Sequence, residues 1–441
     1  MEPKNNALLS DRNPVELLQK LIRFDTTNPP GNEAECMGFI NQLLTQAGIE
    51  TKVLAKTPSR PNLIARLPGR GNAAPLLLYG HADVVTTEDQ QWQHPPFEGK
   101  IVDGCVWGRG ALDMKSGIAM MLSACLRLRA ENIQPPGDVI LAILSDEEAA
   151  SDFGARYLVE NHPEEFAGVR YAIGEFGGFS LAIGQRRFYP IQVAEKQICW
   201  FRAIFRGPGG HGSVPVRGGA MAKAARFLQR LDAQRLPVHI TPPTHLMLSS
   251  IASALGGTRG ALIRQLLNPR LTDGVLNLMG ERGRLFDPLL HNTVSPTVLH
   301  GSAKINVIPT QVVLELDGRT LPGFGPEVMF KEVRALAGED VELELMRYDP
   351  SPAEPDLGWF DTLACILKEA DPQGIPCPMM LAAFTDGRLF SRLGIQTYGF
   401  TPMQLPKDFK FTQMIHTADE RIPVEAVEFG THAIYQALQR F

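Results

Sequence analysis

Short apolar runs that alternate with helix-like segments are the feature that most restricts the fold of this chain. Leu76–Tyr79 and Val139–Leu144 are continuous apolar runs of strand length, and Ser116–Ala130 between them has the composition of a helix. Leu63–Leu67 precedes them as another strand, and Phe153–Asn161 follows as another helix. This rhythm predicts an α/β fold with a mainly parallel sheet flanked by helices. Because such sheets place their sites at the carboxyl ends of the strands, the residues after each run are the first candidates for function.

The alternation is interrupted once, which predicts a second domain inserted into the first. Near Glu195 the pattern changes to a compact α+β texture, and the first pattern resumes beyond Pro350. Residues 241–297, rich in Gly, Pro, Leu and Arg, are interpreted as an elaboration within the insert. The expected segments are 1–195 and 351–441 for the catalytic domain and 196–350 for the inserted α+β domain.

Composition excludes several classes of partner. The chain has 43 basic and 48 acidic residues and a net charge of −5, so it has no excess of positive charge to follow a phosphate backbone, and we expect no nucleic-acid partner. No run approaches the roughly 18 apolar residues of a membrane span, and Met1–Asn6 lacks the apolar core of a signal peptide. The six cysteines form no C-x-x-C pair, as is typical of a reducing compartment. We therefore expect a cytoplasmic protein without a membrane partner.

Residues that commonly bind metal follow these apolar runs. His81 and Asp83 come directly after Leu76–Tyr79, and residues two apart in an extended chain share a face. The carboxylate can therefore hold the second ring nitrogen of a metal-binding imidazole. A strand-end histidine satisfied by its neighbour is the simpler reading of this pair alone. Asp113 precedes the helix at Ser116–Ala130, where an ordinary helix cap is the simpler reading.

Further acids follow the later strands. Asp146, Glu147 and Glu148 come directly after Val139–Leu144, where they repel one another unless they are solvated or meet a cation. Glu175 follows a short apolar strand in a glycine-rich turn. Each of these signals is weak alone, because a solvated turn tolerates acids. Together they indicate a metal site, because successive strand ends each supply a residue of ligand type.

The set of donors suits two ions. If Asp113 bridges, His81 and Glu175 complete one ion, and Glu148 and His416 complete the other. Each ion then has three protein donors and an open position, which is the arrangement of catalytic zinc. Mixed imidazole and carboxylate ligands favour two Zn²⁺, with Co²⁺ or Mn²⁺ as alternatives.

Glu147 has a different expected role, since it stands beside the donors without being one of them. Water bound to such ions has a pKa near roughly 7, and a neighbouring carboxylate can take its proton. That proton can then pass to a leaving amine.

Several longer strings resemble a known family, in order and spacing, from Thr26 to about Val424. They are YGHADVV, WGRGALDMKSG, SDEEA, GGHGSVP, NVIPTQVVLELDGR and IHTADERIPV. The chain is similar to the zinc-dependent aminoacylase/carboxypeptidase family, which includes aminoacylase, glutamate carboxypeptidase G, acetylornithine deacetylase and succinyl-diaminopimelate desuccinylase. The resemblance implies a lid or dimerisation role for the insert and a homodimer through it. It also implies metal on His81, Asp113, Glu148, Glu175 and His416, with Asp83 orienting His81 and Glu147 as the general base.

Three residues outside the donor set are further candidates. In similar enzymes a histidine placed like His211, often from the partner subunit, contacts the oxyanion of the tetrahedral intermediate; a turn histidine is the alternative. Arg388 in the string TDGR could bind a substrate carboxylate through two parallel hydrogen bonds (a fork), or pair with Asp386. Asn306 is a candidate for substrate contact in the lid. Phe384 stands where the family often has glycine, which leaves the size of the substrate open.

The resemblance implies a hydrolase that cleaves an amide bond of N-acyl amino acids or of short peptides with a free carboxylate. A metal-bound hydroxide would attack the carbonyl carbon, with Glu147 as general base. The first alternative is an aminopeptidase or dipeptidase that recognises a free amine. The second is an inactive metal-binding homologue, which the complete set of expected residues disfavours.

Overall fold

The computed structural model describes residues 13–441, so the Met1–Asn6 segment used above lies outside the described residues. The chain forms two compact units. The first comprises the described chain up to Val193 together with Asp356–Met379 and Thr385–Phe441. The second comprises Ala194–Pro355 and Met380–Phe384. The first unit is therefore discontinuous in sequence.

Strands and helices alternate along the first unit, as the apolar runs predict. In chain order the strands are β1 (Glu50–Ala55), β2 (Pro61–Leu67), β3 (Leu76–His81), β4 (Lys100–Val102), β5 (Cys105–Trp107), β6 (Val139–Leu144), β7 (Tyr171–Gly174), β8 (Leu181–Ile183), β9 (Arg186–Glu195), β10 (Gln197–Arg206), β11 (Gly210–His211), β12 (Thr293–His300), β13 (Val307–Ile308), β14 (Gln311–Thr320), β15 (Glu342–Asp349), β16 (Ile375–Leu381), β17 (Gln396–Gly399) and β18 (Arg421–Pro423). The α-helices are α1 (Pro14–Ile22), α2 (Ala34–Gln46), α3 (Lys115–Ala130), α4 (Ala155–Asn161), α5 (Ala220–Ala233), α6 (Pro242–Leu255), α7 (Gly257–Gln265), α8 (Thr272–Met279), α9 (Pro326–Ala337), α10 (Phe360–Ala370), α11 (Gly387–Phe390), α12 (Phe411–Met414) and α13 (Val424–Ala437).

The main sheet of the first unit has the strand order β1-β2-β6-β3-β7-β17-β9-β16. Its central strands β6, β3, β7 and β17 are parallel, whereas β1, β2 and β9 pair antiparallel with their neighbours. Every residue of β3 and β6 is buried, as expected for strands covered by helices on both faces. The predicted α/β class with a mainly parallel sheet is confirmed.

The helices of the first unit follow local sequence signals. Asn13 caps α1, since its Oδ1 accepts hydrogen bonds from the amides of Val15 at 2.9 Å and Glu16 at 3.3 Å, and Pro14 occupies the first helical position. Helix α3 is buried over most of its length and packs against α1 and α13. This central helix directly follows the loop that carries Asp113.

A small antiparallel sheet, β18-β5-β4, borders the loops of two predicted donors. Asp113 lies in the loop after β5, and His416 lies in the loop before β18. These two residues therefore come from the small sheet, not from strand ends of the main sheet. The strands of the small sheet have three residues each, which is too short for a periodic sequence signal.

The second unit is α+β. Its antiparallel sheet has the order β12-β14-β10-β15, and helices α5 and α9 pack on it. Phe201, Phe205, Phe227 and Met329 belong to its core. Residues 241–297 contain α6, α7 and α8, and β11 pairs with β13 as a separate two-stranded ribbon. All six cysteines are free. Within residues 13–441, no helix combines the length and the apolar character needed to cross a bilayer.

Candidate metal centre

The ends of three neighbouring parallel strands meet at one edge of the main sheet. His81 is the last residue of β3, and Glu175 directly follows β7. Glu147 and Glu148 lie in a short 3₁₀ turn, Glu147–Ala149, just beyond β6. Because β6, β3 and β7 are adjacent and run in the same direction, these residues share the carboxyl edge of the sheet.

The structure brings the five predicted donors together in two groups. In the first, Nε2 of His81 lies 3.3 Å from Oδ1 of Asp113 and 3.4 Å from Oε2 of Glu175. In the second, Nε2 of His416 lies 3.2 Å from Oδ2 of Asp113 and 3.2 Å from Oε1 of Glu148. Asp113 thus gives one carboxylate oxygen to each group. The donor atoms of each group lie within 4.8 Å of one another.

The residues of both groups fit divalent cations. Oε1 of Glu148 is buried and accepts no hydrogen bond from the described residues, although His416 is close to it. A buried carboxylate oxygen without a donor is costly, and a cation would satisfy it. Imidazole with carboxylate is a donor set that suits Zn²⁺ and also Mn²⁺ or Co²⁺. The arrangement can therefore hold two ions that share Asp113.

Crowding of acids at this edge shifts their titration. Burial raises the pKa of Glu175 to about 8, against the opposing charge of His81. Burial, reinforced by the charge of Glu175, raises the pKa of Glu147 well above its ordinary value. The close carboxylates of Asp113 and Glu148 raise the pKa of His416 to about 10. Positive charge is therefore strongly favoured among these carboxylates, as a cation site requires.

Asp83 contacts the turn of Glu147 and Glu148 as well as His81, which it was predicted to orient. Nδ1 of His81 lies 3.0 Å from the backbone oxygen of Asp83 and 3.5 Å from its Oδ1. The two carboxylate oxygens of Asp83 also accept hydrogen bonds from the backbone amides of Glu147 and Glu148, each at 3.1 Å. One buried carboxylate therefore fixes both an imidazole donor and the turn that carries Glu147.

A buried polar network behind Asp83 was missed by the sequence analysis. The side-chain amide of Asn28 donates to Asp83 at 2.9 Å and to Asp146 at 3.1 Å. The guanidinium of Arg60 pairs with Asp146 at 2.8 Å and with Glu33 at 2.9 Å. The sequence signal that points to this network is the polar Asn28 beside Pro29-Pro30-Gly31. The partners of Asn28 lie far away in sequence, so no spacing pattern links them.

His211 and Asn306 lie in the second unit, next to each other in the ribbon of β11 and β13. His211 pairs with Val307, and the amide of Gly212 donates to the backbone oxygen of Asn306 at 2.8 Å. The amide of Ser213 donates to Nδ1 of His211 at 3.3 Å, and Oγ of Ser213 lies 2.7 Å from the same nitrogen. Because Nδ1 accepts, the neutral ring carries its proton on Nε2. His211 and Asn306 are both exposed.

Arg388 is buried within the first unit. Its Nη1 donates to the backbone oxygen of Thr385 at 2.6 Å, and its Nη2 donates to Oγ of Ser151 at 3.0 Å. Burial raises the pKa of the adjacent Asp386 to about 6, although the charge of Arg388 opposes this shift. These hydrogen bonds fix the position of the guanidinium within the first unit. The fork role of Arg388 stays a prediction.

The fold and the two donor groups define a class, that of α/β metal-dependent hydrolases. Residues 77–440 match the pattern of the peptidase family M20/M25/M40, and the chain belongs to this family. It is therefore a metallo-hydrolase that acts on amides of acyl-amino acids or of peptides.

Among curated relatives, aminoacylase-1 of Sus scrofa is 26% identical over 444 residues, which cover 96% of this chain and 94% of the relative. The human N-fatty-acyl-amino acid synthase/hydrolase PM20D1 is 27% identical over 378 residues, which cover 83% of this chain and 74% of the relative.

Solved structures share the fold. An M20 family metallo-carboxypeptidase from Sulfolobus solfataricus has a TM-score of 0.69 at 15% identity, covering 97% of this chain and 98% of that chain. The dipeptidase Dug1p from Saccharomyces cerevisiae has a TM-score of 0.67 at 16% identity, with 98% of each chain covered. The Bacillus subtilis YXEP protein, described as a dinuclear metal-binding peptidase, has a TM-score of 0.60 at 14% identity, with 98% of each chain covered.

Proposed function

We propose that this chain hydrolyses the amide bond of N-acyl amino acids, and of short peptides with a free carboxylate, with two Zn²⁺ held by the donor groups. One observation carries the proposal. Glu147 stands beside two donor groups that share Asp113, and belongs to neither of them. A carboxylate so placed is available for proton transfer.

The bound ions would lower the pKa of water and polarise the substrate carbonyl. Glu147 takes one proton from the attacking water, whose oxygen forms the new bond to the carbonyl carbon. It then delivers this proton to the amide nitrogen, so that the carbon–nitrogen bond breaks and a neutral amine leaves. The hydrogen bond from its amide to Asp83 holds the turn of Glu147 in place during both transfers.

His211 has a separate proposed role. Its Nε2 proton, fixed by the contacts of Nδ1 with Ser213, donates to the oxyanion of the tetrahedral intermediate. Asn306, adjacent in the same ribbon, is proposed as a contact to the substrate, and Arg388 as the group that recognises its carboxylate.

Two relatives support acyl-amino acids as the substrate class. Aminoacylase-1 and the N-fatty-acyl-amino acid hydrolase are named for acyl-amino acids, and the alignment with aminoacylase-1 spans 96% of this chain. A cytoplasmic location and a homodimer through residues 196–350 stay predictions.

A substrate panel tests the proposal. The protein, stripped of metal with a chelator and then supplied with Zn²⁺, Co²⁺ or Mn²⁺, is assayed on an N-acetyl amino acid, a long-chain N-acyl amino acid and an unblocked dipeptide. Each acyl substrate is matched with a control whose carboxylate is amidated. We expect metal-dependent cleavage of the acyl-amino acids and much slower cleavage of the amidated controls.

Two other results would overturn the proposal. Preference for the unblocked dipeptide, with a rate that stays the same when its carboxylate is amidated, would establish a peptidase that recognises a free amine. Absence of turnover on the whole panel, with metal bound, would establish an inactive homologue.

A further inference from the structure

Glu420 is a buried carboxylate whose hydrogen bonds all go to the loop that carries Asp113. It is fully buried, and its Oε1 accepts hydrogen bonds from the backbone amides of Leu112 at 2.6 Å and Asp113 at 3.2 Å. Its Oε2 accepts hydrogen bonds from Nη1 of Arg109 at 2.7 Å and from the amide of Gly110 at 3.3 Å. Four donors from one short loop thus converge on one carboxylate from the other end of the chain. Such a set of bonds fixes the path of the loop.

Arg109 connects Glu420 and the loop of Asp113 to the loop of His416. Its guanidinium, which is 1% exposed, also donates through Nη1 to the backbone oxygen of Thr417 at 3.2 Å. Its Nη2 donates to Oε1 of Gln90 at 2.7 Å, and the side-chain amide of Gln90 donates in turn to the backbone oxygen of His416 at 3.0 Å. Arg109 therefore holds the backbone oxygens of two successive residues, Thr417 directly and His416 through Gln90.

The remaining donors are positioned in another way. His81 and Glu175 stand at the ends of β3 and β7, whose places are set by the main sheet. Glu148 stands in the turn held by Asp83. Only Asp113 and His416 come from loops bordering the small sheet, and these are the loops that Arg109 and Glu420 connect.

We propose that Arg109 and Glu420 are positioning residues that hold Asp113 and His416 at the distance needed for one of the two ions. The inference rests on the proposed two-metal site. Its consequence is an asymmetry between the two donor groups. Loss of the pair weakens binding at the group of Asp113, Glu148 and His416 more than at the group of His81, Asp113 and Glu175, because only the first depends on His416.

The test is direct metal binding by the full chain, without substrate. Metal-free protein is titrated with Co²⁺ against a competing chelator, and the stoichiometry, both dissociation constants and the visible absorption of each bound ion are measured. Glu420→Gln keeps the size of the side chain but removes its charge and one pair of acceptor sites. Loss of a group that orients metal ligands typically weakens affinity by 10–100-fold. We expect the ion of the group with His416 to bind about 10–100-fold more weakly, and the ion of the group with His81 and Glu175, which shares only Asp113 with it, to be weakened less.

Asp371→Asn is the matched control. Asp371 is a buried carboxylate of the same unit. It accepts hydrogen bonds from Arg187 at 2.6 Å and from Tyr189 at 3.0 Å, and it contacts none of the five metal donors. Its loss should lower the free energy of unfolding but leave both dissociation constants unchanged. Arg109→Lys, which keeps the charge but loses the fork to Thr417 and Gln90, is the second variant if Glu420→Gln does not fold.

The outcomes are distinct. Selective loss of one ion in a folded variant supports the proposal. Equal weakening of both ions, or no change in either, overturns it and leaves the pair with a structural role only. Failure of the proposed function would be seen earlier, as a wild-type protein that does not bind two ions.

Discussion

The end of β3 in the first unit and the ribbon of β11 and β13 in the second hold their proposed functional residues in opposite ways. His81 is 1% exposed and Asp83 is fully buried, and each is held by several hydrogen bonds or ion pairs. His211 is exposed, and each strand of its ribbon has only two residues. Metal donors must be held in place before the ion arrives, because the ion demands their geometry. A group that meets only the substrate must instead stay accessible.

This contrast predicts that the donor region controls both chemistry and metal binding, whereas the ribbon controls chemistry alone. Four substitutions test it, and they follow here from the largest expected effect to the smallest.

Glu147→Gln should lower kcat by about 10²–10⁴-fold, because the amide cannot take a proton from water. The bound metal, measured by elemental analysis, should stay at the wild-type level because Glu147 is not a donor. Glu164→Gln, at an exposed glutamate of the same unit, is the control and should behave as wild type. A near-normal rate for Glu147→Gln would assign the proton transfer to another group.

His211→Asn should lower kcat by about 10²–10³-fold through loss of the donor to the oxyanion. The free energy of unfolding, measured by urea denaturation, should change by less than about 0.5 kcal/mol, since the side chain is exposed. His300→Asn, at an exposed histidine of the same unit, should change neither quantity. A large loss of stability in His211→Asn would remove the contrast between the two regions.

Asp83→Asn should weaken metal affinity by about 10–100-fold. The new NH₂ group cannot accept a hydrogen bond from the backbone amide of Glu147 or Glu148, so the turn that carries Glu148 is held less firmly. Titration with a chelator-buffered metal series measures the affinity. Asp371→Asn, which leaves all contacts of the donors intact, is again the control. Unchanged affinity in Asp83→Asn would show that the donor turn is held by other contacts.

Ser213→Ala should have the smallest effect, a few-fold decrease in kcat, because it removes one hydrogen bond worth about 1 kcal/mol from Nδ1 of His211. Steady-state kinetics measure it, with Ser302→Ala as a control in an exposed loop of the same unit. A loss as large as that of His211→Asn would mean that the tautomer of His211 depends on the hydroxyl of Ser213 and not on its backbone amide.

The sequence predicted the main sheet well because its strands carry a local signal. Val139–Leu144 was expected as a strand and is β6 without change of bounds, and Leu76–Tyr79 forms most of β3. The strand ends then indicated His81 and Glu175 through a general rule about parallel sheets.

Other parts of the site had no such signal. The network of Asn28, Arg60 and Asp146 joins residues far apart in sequence, and a buried polar contact has no period. Whether a guanidinium such as that of Arg388 faces solvent also depends on tertiary packing, which no local pattern reports.

The order of the donors along the chain has a consequence for biosynthesis. His81, Asp113, Glu148 and Glu175 precede the second unit in the sequence, whereas His416 follows it. A nascent chain that ends between Glu175 and His416 therefore has all three donors of one group and lacks one donor, His416, of the other. The second group thus has its complete set of donors only after synthesis has passed His416.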